Sequence, residues 1–161
     1  MWKKIKERAL PYLIGIVIPL AVGSFAAILT RDAMDIYGVL RVPPLAPPAI
    51  LFPIVWSVLY ILMGVSSTTV YLNRDKNPAA ASLGLKRYFL SLVFNFFWSI
   101  IFFRLRSVLA ALVTVFLLIY LVISTVISYT RVSRLSALLQ IPYLAWLVFA
   151  AYLNAGIYLL N

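Results

Sequence analysis

The chain has 161 residues, 65% of them hydrophobic and only 11% charged, and its mean hydropathy is +1.04. Soluble domains are about half apolar and about a quarter charged, and so small a globule cannot hide this much apolar surface from water, which excludes a soluble enzyme, a soluble nucleic-acid-binding domain and a disordered chain. The formal net charge of +10 comes from 14 Lys and Arg against 4 acidic residues; these basic residues lie between apolar runs, so they read as topology and headgroup signals, not as a nucleic-acid surface.

The charge-free runs predict the elements in chain order. The first runs from Ala9 to Thr30. Lys3, Lys4, Lys6 and Arg8 precede it as in a signal peptide, and Ser24-Phe25-Ala26 resembles a small-residue cleavage site. The run outlasts the roughly 7–15 residues of a signal core, so an uncleaved helix is expected over about 9–30. The second run, Val42 to Asn73, is too long for a single span of about 20 residues. Its start, Val42-Pro43-Pro44-Leu45-Ala46-Pro47-Pro48, cannot be regular helix, because proline lacks a backbone donor and biases the preceding residue to extended geometry. Pro48 or Pro53 suits a first helical turn, which predicts a helix over 48–72 and leaves 31–47 as a long loop.

The third run, Tyr88 to Phe103, is short for a core about 30 Å thick. Leu83 to Leu85 extend it, with Lys86, Arg87 and Arg104 reaching the headgroups, to give 83–104. The remaining runs predict helices over 107–130 and 135–159. The expectation is an all-α membrane protein, one domain over 1–161 built as a bundle of five transmembrane helices.

Lys3, Lys4, Lys6, Arg8, Arg74, Lys76, Lys86, Arg87, Arg131 and Arg134 fall on one side of such a bundle, and Arg31, Arg41, Arg104 and Arg106 on the other. The positive-inside rule then places the N-terminus inside, the C-terminus outside and the 31–47 loop outside. A bacterial cell membrane is the expected location.

No charged residue lies in the middle of a span. That argues against a proton pump, a coupled transporter, a voltage sensor, a retinal protein and a small multidrug exporter, although the exporter stays as an alternative. Without cysteine or histidine, the usual ligands of zinc, copper and haem iron are missing, and neither a metal nor a cofactor is expected. Polar and aromatic residues instead share helical faces: Trp56 with Tyr60; Ser91, Asn95, Trp98 and Phe102; and Tyr143, Trp146, Ala150 and Asn154. Asn95 and Asn154 should point inward, because an amide in hydrocarbon is costly without a partner. The mid-span tryptophans fit a ligand cavity, plain helix packing or an interfacial belt, of which only Trp2 has the position of a belt residue. Gly23 with Ala27, Ser124 with Ser128, and Ala151 with Ala155 are small-xxx-small pairs that suit helix contacts and a homodimer.

Four stretches in order carry a family resemblance: Asp35-Ile36-Tyr37-Gly38-Val39-Leu40 followed by Pro43 to Pro48; Pro53-Ile54-Val55-Trp56-Ser57-Val58-Leu59-Tyr60 with Met63-Gly64; Asn95-Phe96-Phe97-Trp98-Ser99 with Phe102-Phe103; and Pro142-Tyr143-Leu144-Ala145-Trp146-Leu147-Val148-Phe149-Ala150 with Leu153-Asn154. The chain resembles the translocator protein family, also called tryptophan-rich sensory proteins or peripheral benzodiazepine receptors. The resemblance implies a five-helix bundle with one cavity roofed by the first loop, binding porphyrins, sterols and isoquinoline or benzodiazepine drugs. By motif, the implied binding residues are Tyr37, Trp56, Tyr60, Asn95, Trp98, Tyr143, Trp146, Phe149 and Ala150.

The chain departs from the family at Ile36 and Leu45, where tryptophans are common, and no basic residue follows Tyr152 or Tyr158, which weakens the sterol expectation. The first functional reading is a receptor or carrier for a flat ligand, a metal-free tetrapyrrole foremost, with Arg31 or Arg41 meeting its propionates. The alternative is light-dependent degradation of protoporphyrin, with Trp56 and Trp146 as the candidate catalytic pair. The expected partners are membrane lipid and this ligand.

Overall fold

The computed structural model describes the backbone of residues 2–33 and 35–161 and the side chains of residues 9–33, 35 and 37–161; the Trp2 side chain lies outside this set. Among the described residues there are six α-helices and no strand: α1 (Trp2–Thr30), α2 (Ile36–Val39), α3 (Leu51–Leu72), α4 (Pro78–Ser99), α5 (Val108–Thr130) and α6 (Arg134–Leu160). A π-helical turn, Ile100–Arg104, continues α4. Five of these helices, all but the short α2, are long and apolar enough to cross a membrane.

Local chemistry sets the helix ends. Asn77 caps α4 by accepting a hydrogen bond from Ala80 N at 3.1 Å, with Pro78 in the first turn. That is where a missing N–H costs nothing. The third span therefore begins at Pro78, ahead of the Leu83 that hydropathy suggests. At the other proline-rich entry, Leu51 N bonds Pro48 O and Phe52 N bonds Ala49 O in a tight turn, so α3 starts at Leu51 and Pro48 stays in the loop. Ser133 caps α6 through Ser136 N.

The spanning helices close a ring in the order α1, α3, α6, α5, α4. Outward faces carry Ile14, Phe25, Phe116, Tyr120 and Leu138, all exposed, as lipid solvent allows. Between the helices lie hydrogen bonds that hold only in a dry interior. Ser66 Oγ donates to Ser136 O at 2.7 Å, and Gln140 Nε2 donates to Ser66 Oγ at 3.1 Å. Tyr129 Oη donates to Ser67 Oγ at 2.9 Å. Arg104 Nη1 reaches Leu29 O at 3.1 Å, placing a cation at the C-terminal end of α1. The tightest helix approach is glycine-mediated: a Cβ on Gly64 would stand 2.5 Å from Gly15 O and 2.7 Å from Ile16 Cα.

Candidate functional site

At the end of the bundle nearest the 31–50 loop, the helices leave a hollow with two lobes. The first, about 200 Å³, lies between α1, α3 and α4 and is walled by Gly23, Ala27, Tyr60 and Asn95 among others. The second, about 70 Å³, lies under the loop against α6 and is walled by Tyr37, Ala49, Trp146, Ala150, Leu153 and Asn154. Phe52, Trp56, Trp98 and Phe103 line both lobes and form the partition between them.

The partition is built from rings in edge and tilted contact, the arrangement aromatic quadrupoles favour. Trp56 sits 5.4 Å from Tyr60 and 6.0 Å from Tyr143. Trp98 stacks on Phe102 at 5.5 Å and meets Phe103 edge-on at 6.2 Å. Phe52 bridges Tyr37 at 5.3 Å and Trp146 at 5.9 Å. The π-helical turn aims Phe102 and Phe103: Leu105 N reaches back to Ile100 O at 3.0 Å, one residue further than an α turn.

Few polar atoms face this hollow. Asn95 Nδ2 donates to Tyr60 Oη at 2.8 Å, which supplies the buried amide with a partner. Asn154 Nδ2 donates to Ala150 O at 2.8 Å, whereas Asn154 Oδ1 is buried without a partner among the described residues, as is Trp98 Nε1. The second lobe is thus walled by one side chain with an unpaired acceptor and one with an unpaired donor. No acid, lysine or arginine lines either lobe, so the walls offer no side chain for ordinary acid–base chemistry at neutral pH.

The loop is tied to α6. Tyr152 Oη donates to Pro44 O at 2.6 Å, and the Asn161 side chain pairs with the backbone of Arg41. Pro43 packs onto Gly156, where a Cβ would lie 2.6 Å from the ring. Tyr37 Oη donates to Pro47 O at 3.3 Å, and burial pushes its phenol above the usual tyrosine range. Leu45 holds a left-handed φ of 68°, a strained conformation for a side chain without local hydrogen-bonding atoms.

Seven of the nine residues singled out by sequence line the hollow: Tyr37, Trp56, Tyr60, Asn95, Trp98, Trp146 and Ala150. Tyr143 does not; it is buried behind Trp56 at 1% exposure. Phe149 packs beside Trp146 at 5.6 Å without reaching either lobe. Arg31 pairs with Asp32 at 3.2 Å, with both side chains solvent-facing. Sequence reasoning missed Phe52, Phe103 and the α1 wall. Phe52 stands four before Trp56, a spacing that could have found it. Phe103 follows a break in helical phase that the pattern does not announce.

The TspO/MBR family profile matches residues 15–160, which includes every helix that walls the hollow. The chain is 36% identical to the tryptophan-rich protein TspO of Chlorobaculum tepidum over 156 residues, 96% of this chain and 98% of that one. It is 34% identical to the protein CrtK of Rhodobacter capsulatus, covering 86% and 85% of the two chains, and 34% identical to the translocator protein of Bos taurus, covering 86% and 82%. Five spanning helices around an aromatic hollow, and relatives matched along nearly the whole chain, agree: this protein belongs to the TspO/MBR family.

Proposed function

We propose that the protein is a membrane receptor or carrier for flat hydrophobic molecules, with metal-free porphyrins as the foremost class and sterols or isoquinoline and benzodiazepine drugs as further ligands. The observation that carries this reading is the convergence of Phe52, Trp56, Trp98 and Phe103 between two lobes. Ring faces stack on a macrocycle, and the Trp98 and Asn154 side chains, each with an unpaired polar atom, orient its edge. Each lobe alone is smaller than the roughly 300–1,000 Å³ of a typical ligand site. A macrocycle therefore enters by turning Phe52 and Phe103 aside and merging the lobes.

Titrating the purified protein with protoporphyrin in darkness, followed by Soret absorbance and tryptophan quenching, tests this. Saturable one-to-one binding is expected, and non-saturable partitioning overturns it. A second reading, light-dependent porphyrin degradation, draws on Trp56 and Trp146 walling the same lobe. The same titration under illumination, with product identification, separates turnover from binding.

A further inference from the structure

A second hollow lies at the opposite end of the bundle from the loop. It holds about 440 Å³ between α1, α3 and α4 and shares no residue with the aromatic lobes. A shallower furrow of about 270 Å³ continues it between α1 and α4. The two share Ile18 and Phe89, and the furrow runs on past Leu92 to Phe96, which stacks on Phe25 at 5.8 Å. The whole is a polar-ended trough with a long apolar tail.

The polar end is formed by Ser67, Thr68 and Tyr88. Tyr88 is 3% exposed, and its Oη has no hydrogen-bond partner among the described residues. Such a hydroxyl costs free energy unless something pairs with it. Ser67 Oγ accepts from Tyr129 Oη at 2.9 Å, which leaves the Ser67 O–H free to donate. The other walls are apolar, chiefly Leu10, Ile14, Ile18, Leu85 and Phe89, and no charged side chain is among the lining residues.

We infer that this trough is a second binding site, for an uncharged membrane lipid whose head offers a carbonyl oxygen to Tyr88 and Ser67 and whose hydrocarbon chain lies in the furrow along α1 and α4. An anionic or zwitterionic head finds no counter-charge there and keeps its place in the headgroup layer. Diacylglycerols and isoprenoid quinones both carry the required carbonyl. The inference is independent of porphyrin binding, because the two hollows share no wall.

The test uses the full chain in phosphatidylcholine nanodiscs holding a trace of a diacylglycerol with a diazirine on its acyl chain. After illumination, label is expected to concentrate on peptides spanning 9–25 and 85–96. Excess unlabelled diacylglycerol or decylbenzoquinone should displace it, and the stronger of the two identifies the natural class; phosphatidylserine should not. Tyr88→Phe, which removes only an unpartnered hydroxyl, should cut labelling about tenfold, the loss of one buried hydrogen bond. Ile14→Trp, on an exposed position that narrows the trough, should abolish it. Both variants should keep the wild-type melting temperature and protoporphyrin titration. Label spread equally over outward α5 residues such as Phe116 and Tyr120, labelling unchanged in both variants, or equal displacement by phosphatidylserine would each overturn the site.

Discussion

The side-chain amide of Asn161 grips the backbone of Arg41 at both of its polar groups: Arg41 N–H donates to Oδ1 at 3.0 Å, and Nδ2 donates to Arg41 O at 2.9 Å. A side chain at the end of α6 thus completes, for one residue of the loop, the pair of bonds a neighbouring strand would give. Asn161→Ala should leave the helices intact and free the loop. The two bonds are exposed, so each contributes toward the low end of about 0.5–1.5 kcal/mol. Amide exchange across 37–47, measured by mass spectrometry, should accelerate roughly fivefold or more in the variant. In the wild-type protein, exchange across 35–42 should slow when protoporphyrin binds. No slowing there would sink the lid reading and leave the hollow itself standing.

Trp146→Phe keeps an aromatic face in the second lobe and removes indole area and an N–H. Porphyrin affinity should fall by on the order of 1 kcal/mol, about fivefold in Kd. Trp2→Phe is the control and should change nothing; an equal loss in both would mean that porphyrin partitions at the membrane surface. Asn95→Ala leaves Tyr60 Oη without its 2.8 Å donor, so its thermal stability is measured before its affinity is interpreted.

Phe103→Ala should merge the lobes, because Phe103 lines both. Stopped-flow mixing with protoporphyrin should show faster association than in the wild type, while a small ligand confined to one lobe binds more weakly. A slower macrocycle on-rate would mean that Phe103 is a stacking wall and not a partition.

Gly64→Ala should be severely destabilising, since its Cβ would meet α1 backbone that cannot step aside. Overpacking of this kind costs typically 1–3 kcal/mol. A Cβ at Gly38 meets nothing within 4 Å, so Gly38→Ala should melt like the wild type. Comparable melting of the two variants would show that α1 and α3 have slack between them.

Reporter fusions test orientation. The distribution of basic residues predicts an N-terminus inside and a C-terminus outside. With five spanning helices the ends lie on opposite faces, so a cytoplasmic reporter at Asn161 would mean that the positive-charge bias does not orient this chain.

Much of the architecture was legible because lipid imposes one rule on every span: backbone groups must be satisfied internally, so length, hydropathy and charge gaps translate directly into helices. Helical spacing also brought Trp56, Tyr60, Asn95, Trp98 and Trp146 onto inward faces, since buried amides drag their faces inward. Other features depend on what stands opposite. Tyr143 shares the Trp146 face but is covered by Trp56, and no spacing rule reports what a neighbouring helix hides. The start of α4 was misplaced because hydropathy does not register a cap, and Asn77 with Pro78 outweighs the polar residues that follow. The α1 wall carries mostly small residues, Gly23, Ser24 and Ala27; their contribution is room, which composition does not distinguish from helix packing.

The π-helical turn at Ile100–Arg104 works as a spacer whose length counts for more than its letters. A residue in an α-helix advances the wheel by about 100°, and the i→i+5 bond from Leu105 N to Ile100 O absorbs one residue beyond an α turn. Deleting a single residue between Ile100 and Arg104 would let the segment relax into plain α-helix. Everything after the deletion would then rotate by about that angle relative to Trp98, carrying Arg104 away from Leu29 O and the ring after Phe102 out of the partition. Exchanging Ile100 for another apolar residue would do neither. When related chains are aligned, a one-position gap in this segment therefore signals a re-aimed ligand wall, whereas a changed letter there signals only altered contact with lipid or with a neighbouring helix.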